Sequence, residues 1–483
     1  MKPRALSLGA WRYLDGRAGS EVLKLPADHL VTHGVVVGMT GSGKTGLVTV
    51  MIEEMLSASI PTIVVDVKGD LPNLMLAFPT FDPAAYVPWL EPSAEGAPPN
   101  DLGDRASRVA TERRNALAEH GITEKELTRY SAKTRVRVVS PGSTAGEALH
   151  VLSPLEKRSA RWNTDPESAR GALSAAVSLA LRLLGRDPDP ARSKEHVLLS
   201  LLAERRLLAG GDADLRALLH DLEAPPISEV GALSIDAFFK KTERKKLAAA
   251  LNTLLASPTF ASWRQGAALD IADWVTPRDG RTPGVIVSVA HLDDEERALV
   301  LGVLLEEILS WVRSLPGSSR LKAVIVFDEV YGFLPPHPAN PPTKRPLVAL
   351  MKQARAFGVG VIVATQNPMD LDYRALSNAG IWCVGRLQTD ADRARVLDGL
   401  AASVDSSKEN MTELGRRVQR LSNRWFVMRN AHVDAEPILL RPRYAMSWLR
   451  GPMTRGEIQR ARGVTPEPQR PSSSPIVPTV AVD

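Results

Sequence analysis

The segment from Gly38 to Thr45 reads GMTGSGKT and could bind the phosphates of a nucleotide. It fits the P-loop pattern G-x-x-x-x-G-K-[ST], whose glycines let the backbone curl so that successive N–H groups face the β- and γ-phosphate oxygens. Lys44 would add a positive charge at these phosphates, and the hydroxyl of Thr45 would bind Mg²⁺. The predicted nucleotide-binding residues are Gly38, Thr40, Gly41, Ser42, Gly43, Lys44, Thr45 and Gly46.

The sequence on both sides of the P-loop supplies the elements that this pattern needs. Val35, Val36 and Val37 form an apolar run typical of a buried strand, and residues 47–56 carry apolar side chains at helical spacing. The alternative is a Gly-rich turn before an ordinary helix. A strand before the loop and a helix after it favour phosphate binding instead.

An adjacent pair of acids, Asp328 and Glu329, follows the apolar run VIVF. The aspartate could hold Mg²⁺ through its water shell, and the glutamate could orient and deprotonate the water that attacks the γ-phosphate. Such a pair is common by chance at a strand end. Because it follows both a P-loop and an apolar strand, we expect it to be catalytic.

A second apolar run, IPTIVVDVKGD, ends in polar residues that include Asp66, Lys68 and Asp70. Parallel strands deliver polar residues to the ligand edge of an α/β sheet, which favours a position near the nucleotide for the two aspartates. A solvated strand end explains the same pattern equally well.

Three further residues are candidates for acting on the nucleotide, one as a sensor and two by stabilising charge in the transition state. Gln366 closes the run VIVATQ, where its amide could contact both the γ-phosphate and water; a simple turn before Pro368 is the alternative. Arg355 lies at a helix end and Arg386 at a strand end, where a guanidinium could reach the nucleotide of an adjacent subunit. Taken alone, either arginine is better explained by a surface salt bridge.

Together these motifs resemble a family of ATPases. GMTGSGKT, VVDVKGDL, VIVFDE, QARAFGVGVIVATQNP and GRLQTD are similar to the signatures of the HerA/FtsK superfamily of RecA-like hexameric motors. This superfamily includes DNA translocases, conjugative coupling proteins and type IV secretion ATPases. The resemblance implies that Gln366 acts as the sensor and Arg355 as an arginine finger in trans, in a homo-oligomeric ring that hydrolyses ATP with Mg²⁺.

Within the superfamily the chain looks most like bacterial HerA-like ATP-binding proteins. The segments HGVVVGMTGSGKTGL, DVKGDLPNL, SPGSTAG and SWLRGPMT carry this likeness, between about residue 33 and residue 455. Residues 1–30 are too few for the N-terminal barrel of full HerA helicases and are expected to pack on the edge of the core. That departure leaves open how a nuclease or other effector partner would dock.

The predicted fold class is α/β, a RecA-like P-loop NTPase core with a mostly parallel central sheet and an inserted all-helical domain. Residues 1–159 and 281–462 would form the two parts of the core, because both contain apolar strand runs. Residues 160–280 show helical periodicity with almost no strand signal and are predicted to be the insertion. The residues from 463 to 483 are rich in Pro, Ser and Thr and are predicted to be a disordered tail.

Composition limits the classes of protein that this chain could be. Its 483 residues are 44% hydrophobic, enough for two or three globular domains, and its net charge of +5 permits a polyanionic partner without requiring one. One cysteine, Cys383, and the lack of a signal peptide predict a reducing cytoplasm. We expect no membrane span, since the apolar stretches are short or carry acids. The histidines, such as His33, His150 and His291, lack metal-ligand spacing, so no zinc is predicted.

One basic cluster could contact DNA. FFKKTERKK places Lys240, Lys241, Arg244, Lys245 and Lys246 beside two phenylalanines, on a helix of the predicted insertion. These side chains could follow phosphates with salt-sensitive affinity. A solvated helix face is the commoner explanation for a cluster of this size.

These observations favour an ATP hydrolase that translocates along double-stranded DNA, in repair, processing or defence. A first alternative is an ATPase that powers protein or DNA export of the type IV secretion kind. A second is a scaffold whose assembly is switched by ATP. No nuclease-like cluster of carboxylates is recognisable, so any cutting of DNA would fall to a partner.

Overall fold

The computed structural model describes residues 4–19, 21–92, 98, 100–368, 371–376, 379–401, 408–433 and 436–463. The predicted disordered tail lies outside these residues except for its first one. The strands are β1 (Ala5–Arg12), β2 (Leu23–Pro26), β3 (Gly34–Val37), β4 (Thr62–Asp66), β5 (Thr134–Pro141), β6 (Glu147–His150), β7 (Glu229–Val230), β8 (Leu233–Ser234), β9 (Ala267–Ala268), β10 (Thr282–Ser288), β11 (Ala323–Asp328), β12 (Val359–Thr365), β13 (Ile381–Val384), β14 (Phe426–Asn430) and β15 (Ile438–Pro442).

The helices connect these strands and also form most of the segment between β6 and β10. The α-helices are α1 (Lys44–Ser57), α2 (Asp101–Ala118), α3 (Glu124–Lys133), α4 (Ser153–Glu156), α5 (Arg161–Thr164), α6 (Pro166–Leu183), α7 (Lys194–Leu208), α8 (Leu215–Glu223), α9 (Ile235–Phe238), α10 (Lys241–Ala256), α11 (Ala261–Arg264), α12 (Ile271–Val275), α13 (Asp294–Ser314), α14 (Lys344–Gln353), α15 (Tyr373–Leu376), α16 (Asp390–Ala401), α17 (Lys408–Arg420) and α18 (Arg455–Ala461). Short 3₁₀ helices span Ala27–Thr32, Leu71–Met75, Pro83–Ala85, Val87–Trp89 and Ala354–Phe357.

A sheet of thirteen strands organises the molecule, in the order β2-β1-β15-β14-β13-β3-β12-β11-β4-β10-β5-β6-β9. Neighbouring strands from β13 to β9 are parallel, whereas β14, β15, β1 and β2 add an antiparallel edge. The central strands are buried along their whole length because helices cover both faces, which explains their continuous β-branched runs. The residues before the P-loop strand thus lie at the sheet edge, as expected.

The helices between β6 and β10 pack directly on the sheet. One hydrophobic cluster joins their side chains, such as Leu179, Leu202 and Leu251, to Val287 in β10 and Leu305 in α13. The segment is also not purely helical, because β7 and β8 form a hairpin and β9 pairs with β6 at the end of the large sheet. Strands of two residues are too short to show a period of two in the sequence.

The segment after β15 is tied to the P-loop helix by buried charges. Arg443 is 4% exposed, and its guanidinium donates to Glu53 at 2.9 Å and to Glu54 at 2.8 Å. Glu53 also accepts hydrogen bonds from the backbone N–H groups of Met446 and Ser447, at 2.9 and 2.7 Å. The carboxylates of α1 therefore hold residues far along the chain beside the P-loop.

None of the helices in the described part of the chain combines the length and the apolar character needed to cross a membrane.

Candidate nucleotide site

The P-loop connects β3 to α1 at the carboxyl edge of the sheet. Gly41 and Gly43 have φ angles of 78° and 91°, in the left-handed region that favours glycine. The N–H of Gly38 donates to the carbonyl of Thr365 at 3.2 Å, and the N–H of Met39 donates to the carbonyl of Arg386 at 3.1 Å. The loop is thus anchored to the ends of β12 and β13, the two strands that flank β3.

Lys44 begins α1 and is 5% exposed. Its ammonium makes no hydrogen bond within the described residues and lies 3.6 Å from Oε2 of Glu329. Burial lowers the pKa of Lys44 to about 8, against the opposing effect of Glu329. A buried ammonium without a hydrogen-bond acceptor fits the phosphates that the P-loop pattern predicts.

Asp328 ends β11, and both of its carboxylate oxygens are buried without a hydrogen-bond partner among the described residues. Burial raises the pKa of Asp328 to about 6, although Lys44 and Lys68 oppose the shift. An orphaned carboxylate suits a hydrated Mg²⁺, which Asp328 and the hydroxyl of Thr45 would hold together. No cluster of three His, Cys, Asp or Glu side chains able to hold a metal occurs in the described ranges. A magnesium ion here would therefore depend on phosphate oxygens for further ligands.

Glu329 has a φ angle of 64°, which is strained for a residue other than glycine. Its Oε1 accepts hydrogen bonds from the hydroxyl of Thr365 at 3.0 Å and the N–H of Gln366 at 3.2 Å. Its Oε2 accepts one from Nζ of Lys68 at 2.7 Å. Burial alone would raise the pKa of Glu329, but Lys44, Lys68 and these hydrogen bonds outweigh it and hold the pKa below its usual value.

Gln366 joins the two halves of the site. It follows β12, which lies between β3 and β11 in the sheet. The Oε1 atom of Gln366 accepts a hydrogen bond of 2.7 Å from the hydroxyl of Thr40 in the P-loop, while its N–H contacts Glu329. The same residue thus contacts both the P-loop and the predicted base.

Comparison with known proteins supports the resemblance seen in the motifs. Residues 16–83, from before β2 to the start of the 3₁₀ helix Pro83–Ala85, match the family described as Helicase HerA, central domain. The predicted resemblance to the HerA/FtsK superfamily is confirmed. No curated protein is similar enough to this chain to count as a match.

Solved structures superpose on most of this chain. VirB4 of Thermoanaerobacter pseudethanolicus superposes with a TM-score of 0.51 and 13% identity, covering 90% of this chain and 96% of that one. The plasmid coupling protein TrwB, in complex with a non-hydrolysable GTP analogue, superposes with a TM-score of 0.47 and 13% sequence identity. The match covers 94% of this chain and 98% of that one. The likeness to VirB4 and the observed sheet confirm the predicted fold class, a RecA-like P-loop core with a mostly parallel sheet.

The two candidate arginines lie at different edges of the sheet. Arg386 lies beside the P-loop of its own chain, half-buried, with a buried Nε that has no hydrogen-bond partner among the described residues. Arg355 is exposed in the 3₁₀ helix before β12, at the edge opposite to Gln366. The seven residues of β12 separate Arg355 from Gln366 by roughly 20 Å. Arg355 therefore does not reach its own P-loop, whereas Arg386 lies beside the P-loop of its own chain.

The acids at the end of β4 also lie at this edge. Asp66 is fully buried and pairs in register with Asp328 on the neighbouring strand. Its Oδ1 accepts a hydrogen bond from the N–H of Gly69 at 2.9 Å, and its Oδ2 has no partner among the described residues. Burial raises the pKa of Asp66 to about 7. Asp70 is half-buried where the next 3₁₀ helix begins.

A cavity of about 560 Å³ opens next to the P-loop, between α1 and the segment after β15. Gly43 and Gly46 form one side, and Tyr444 and Trp448 form part of the other. The guanidinium of Arg424 lies 3.7 Å from the ring centre of Tyr444. The backbone N–H of Arg424 donates to the carbonyl of Ser42 at 2.9 Å. A Cβ atom at Gly43 would lie 2.9 Å from Cγ of Arg424. Glycine is thus required where the two segments meet.

The basic cluster on α10 is divided by burial. Lys240, Lys241, Lys245 and Lys246 are exposed, so the prediction that they contact DNA stands. Arg244 is 5% exposed, and its Nη1 donates to Asp236 and to the carbonyl of Phe239, both at 2.8 Å. Including Arg244 in that surface was therefore wrong, because its guanidinium anchors α9 to α10.

The sequence motifs missed several residues at the site. Lys68 was visible as a polar residue at a strand end, yet nothing in its spacing predicted a contact with Glu329. Thr365 was hidden inside an apolar strand. Arg424 and Tyr444 have no motif of their own, because only the tertiary fold brings them to the P-loop.

Proposed function

We propose that this protein hydrolyses ATP and uses the energy to move along double-stranded DNA, as a homo-oligomeric, hexameric ring in the cytoplasm. The observation that carries the ATPase proposal is the convergence of Lys44, Asp328 and Glu329 at one edge of the sheet. The resemblance to the HerA/FtsK superfamily supports DNA as the substrate to be moved. A nuclease or another effector could act with the ring.

The residues of the site would divide the chemistry among themselves. The P-loop amides and Lys44 would bind the β- and γ-phosphates. Thr45 and Asp328 would hold Mg²⁺, which neutralises phosphate charge when it is bound. Glu329 would accept a proton from the attacking water, and Gln366 would transmit the state of the γ-phosphate to the P-loop through Thr40. Arg386 would act on its own chain's nucleotide and Arg355 on that of a neighbour.

The cavity beside the P-loop would receive the rest of the nucleotide. A nucleotide whose phosphates lie against residues 38–45 extends past Gly43 and Gly46 into this space. The ring of Tyr444, backed by the Arg424 guanidinium, offers an aromatic surface on which a base could stack. The volume of the cavity is adequate for a base and a ribose.

Steady-state ATP hydrolysis with and without linear double-stranded DNA, at low and moderate salt, tests this proposal, with Lys44→Ala as the blank. We expect DNA to stimulate hydrolysis and the stimulation to fall with salt, because phosphate contacts release counterions. Replacing Lys245 and Lys246 with Glu, which reverses their charge, should weaken the stimulation by DNA. Lys125→Glu, at another exposed position, is the matched control.

Each other outcome favours a different function. Hydrolysis that ignores DNA at every salt concentration would contradict the translocase and favour an export ATPase. Very slow turnover, with a ring whose size changes with nucleotide, would favour an ATP-switched scaffold. Nucleotide binding that is unchanged in Lys44→Ala would contradict the P-loop site itself.

A further inference from the structure

Lys68 holds the carboxylate that the proposed hydrolysis needs as its base. Its Nζ lies 2.7 Å from Oε2 of Glu329, and Lys44 lies 3.6 Å from the same oxygen. The two ammonium groups are therefore within about 6 Å of each other. The Lys68 side chain is 30% exposed, whereas that of Glu329 is 12% exposed, so Lys68 approaches the carboxylate from the open side.

In this arrangement Oε1 of Glu329 accepts two hydrogen bonds, and Lys68 holds Oε2 in a charged hydrogen bond that makes the carboxylate a weaker base. The two donors to Oε1, the hydroxyl of Thr365 and the N–H of Gln366, belong to β12 and the residue after it. The strained backbone of Glu329 fixes where its carboxylate can lie. Lys68 is the one donor of these three that sits on a long flexible side chain, so it can leave without moving the sheet.

We propose that Lys68 is a mobile phosphate ligand, which occupies Glu329 before ATP binds and transfers to the γ-phosphate when ATP arrives. This inference rests on the proposed ATPase function. A terminal phosphate bound by Lys44 lies within reach of an ammonium so close to it, and it offers more negative charge than one carboxylate. The transfer frees Oε2 of Glu329 for water. ADP has no γ-phosphate, so it leaves Lys68 on Glu329, and the protein distinguishes the two nucleotides.

A double-mutant cycle on nucleotide affinity tests the transfer without relying on turnover. Glu329→Gln removes the charge that holds Lys68, so we expect the affinity for a non-hydrolysable ATP analogue to rise by about tenfold. The affinity for ADP should stay within about twofold. Lys68→Met should abolish this gain, and Lys68→Arg should preserve part of it. Isothermal titration calorimetry in the presence of Mg²⁺ measures all of these constants.

Two results would overturn the proposal. One is a gain from Glu329→Gln that persists in the Lys68→Met background, since Lys68 would then have no part in it. The other is an equal effect of Lys68→Met on the ATP analogue and on ADP, since the γ-phosphate would then make no contact with Lys68.

A labelling experiment on the nucleotide-free protein separates failure of this inference from failure of the ATPase proposal. Acetylation of Lys68, followed by mass spectrometry and normalised to the exposed Lys125, should be about tenfold faster in Glu329→Gln than in the wild type. Equal rates would overturn the inference, whatever the protein binds. Protected Lys68 in a protein that binds no nucleotide would contradict the ATPase proposal and, with it, the transfer.

Discussion

Asp66 and Asp328 are register partners on adjacent parallel strands, so two carboxyl groups share one buried edge of the sheet. Burial raises the pKa of both, to about 7 for Asp66 and about 6 for Asp328, and the charge of Asp328 adds to the shift of Asp66. Lys44 and Lys68 are among the principal causes that oppose the rise in pKa at Asp328. Neither is among the principal causes at Asp66. Asp66, which has no ammonium among the principal causes of its shift, is thus the carboxyl that keeps its proton to higher pH.

Asp66→Asn should change how stability depends on pH. The unfolded chain loses this proton near the ordinary pKa of 3.8, whereas the folded protein keeps it up to about 7. The contribution of the carboxyl to stability is therefore complete below about pH 4 and is lost as the pH rises to 7, by up to roughly 4 kcal/mol. Urea unfolding with EDTA from pH 4 to pH 8 should show the variant gaining stability over wild type across this window. Parallel stability curves for the variant and the wild type would contradict the prediction.

Glu329→Gln should retain nucleotide binding and lose hydrolysis. The amide cannot accept the proton of the attacking water, so we expect kcat to fall by about 10²- to 10⁴-fold. Lys44→Ala should lose binding itself. A Glu329→Gln protein that hydrolyses ATP at the wild-type rate would show that another group is the base.

Thr40→Val should uncouple the P-loop from the catalytic glutamate. The substitution removes the hydroxyl that donates to Gln366 and keeps the shape of the side chain. We expect turnover to fall by about tenfold with little change in ATP affinity, and Thr40→Ser to restore it. Stopped-flow binding and steady-state hydrolysis separate the two effects. Equal loss in the Val and Ser variants would assign the effect to packing.

Variants of Arg355 and Arg386 should differ in whether activity returns when they are mixed with another inactive subunit. Because Arg355 lies at the edge opposite to the P-loop, an Arg355→Ala subunit keeps a complete P-loop and a Lys44→Ala subunit keeps a complete finger. Mixing these two proteins should recover part of the activity. Mixing Arg386→Ala with Lys44→Ala should recover none, because Arg386 lies beside its own P-loop. Recovery in the second mixture alone would reverse the two roles.

Arg443→Met should destabilise the protein by about 3–5 kcal/mol, because the buried charge of Glu53 would lose its partner. Thermal or urea unfolding measures the change. Arg441→Met, at an exposed position on β15, should change stability by no more than about 0.5 kcal/mol. Similar losses in both variants would show that the buried pair has no special role.

The residues that the sequence predicted well are those near a strand end in a local motif. Gly38 to Thr45 and Asp328 could be placed because a buried apolar strand precedes each of them. The partners of Glu329 could not be predicted, since Lys68 and Thr365 reach it only through the order of the strands. That order, with β12 between β3 and β11, is a tertiary property. Burial of Arg244 was equally hidden, because its spacing on α10 matches that of the exposed lysines.

β15, the last strand along the chain, has a consequence for synthesis on the ribosome. β1 is made first, yet it pairs with β15, and the wall of the cavity beside the P-loop comes from residues after β15. Contacts that span almost the whole chain form slowly. The wall of the cavity cannot form before residue 448 has emerged. A nascent chain thus displays the P-loop without the aromatic wall of its nucleotide cavity. Termination before β15 would release a product in which β1 still pairs with β2 but exposes its other edge, and chaperones and proteases recognise such unpaired edges.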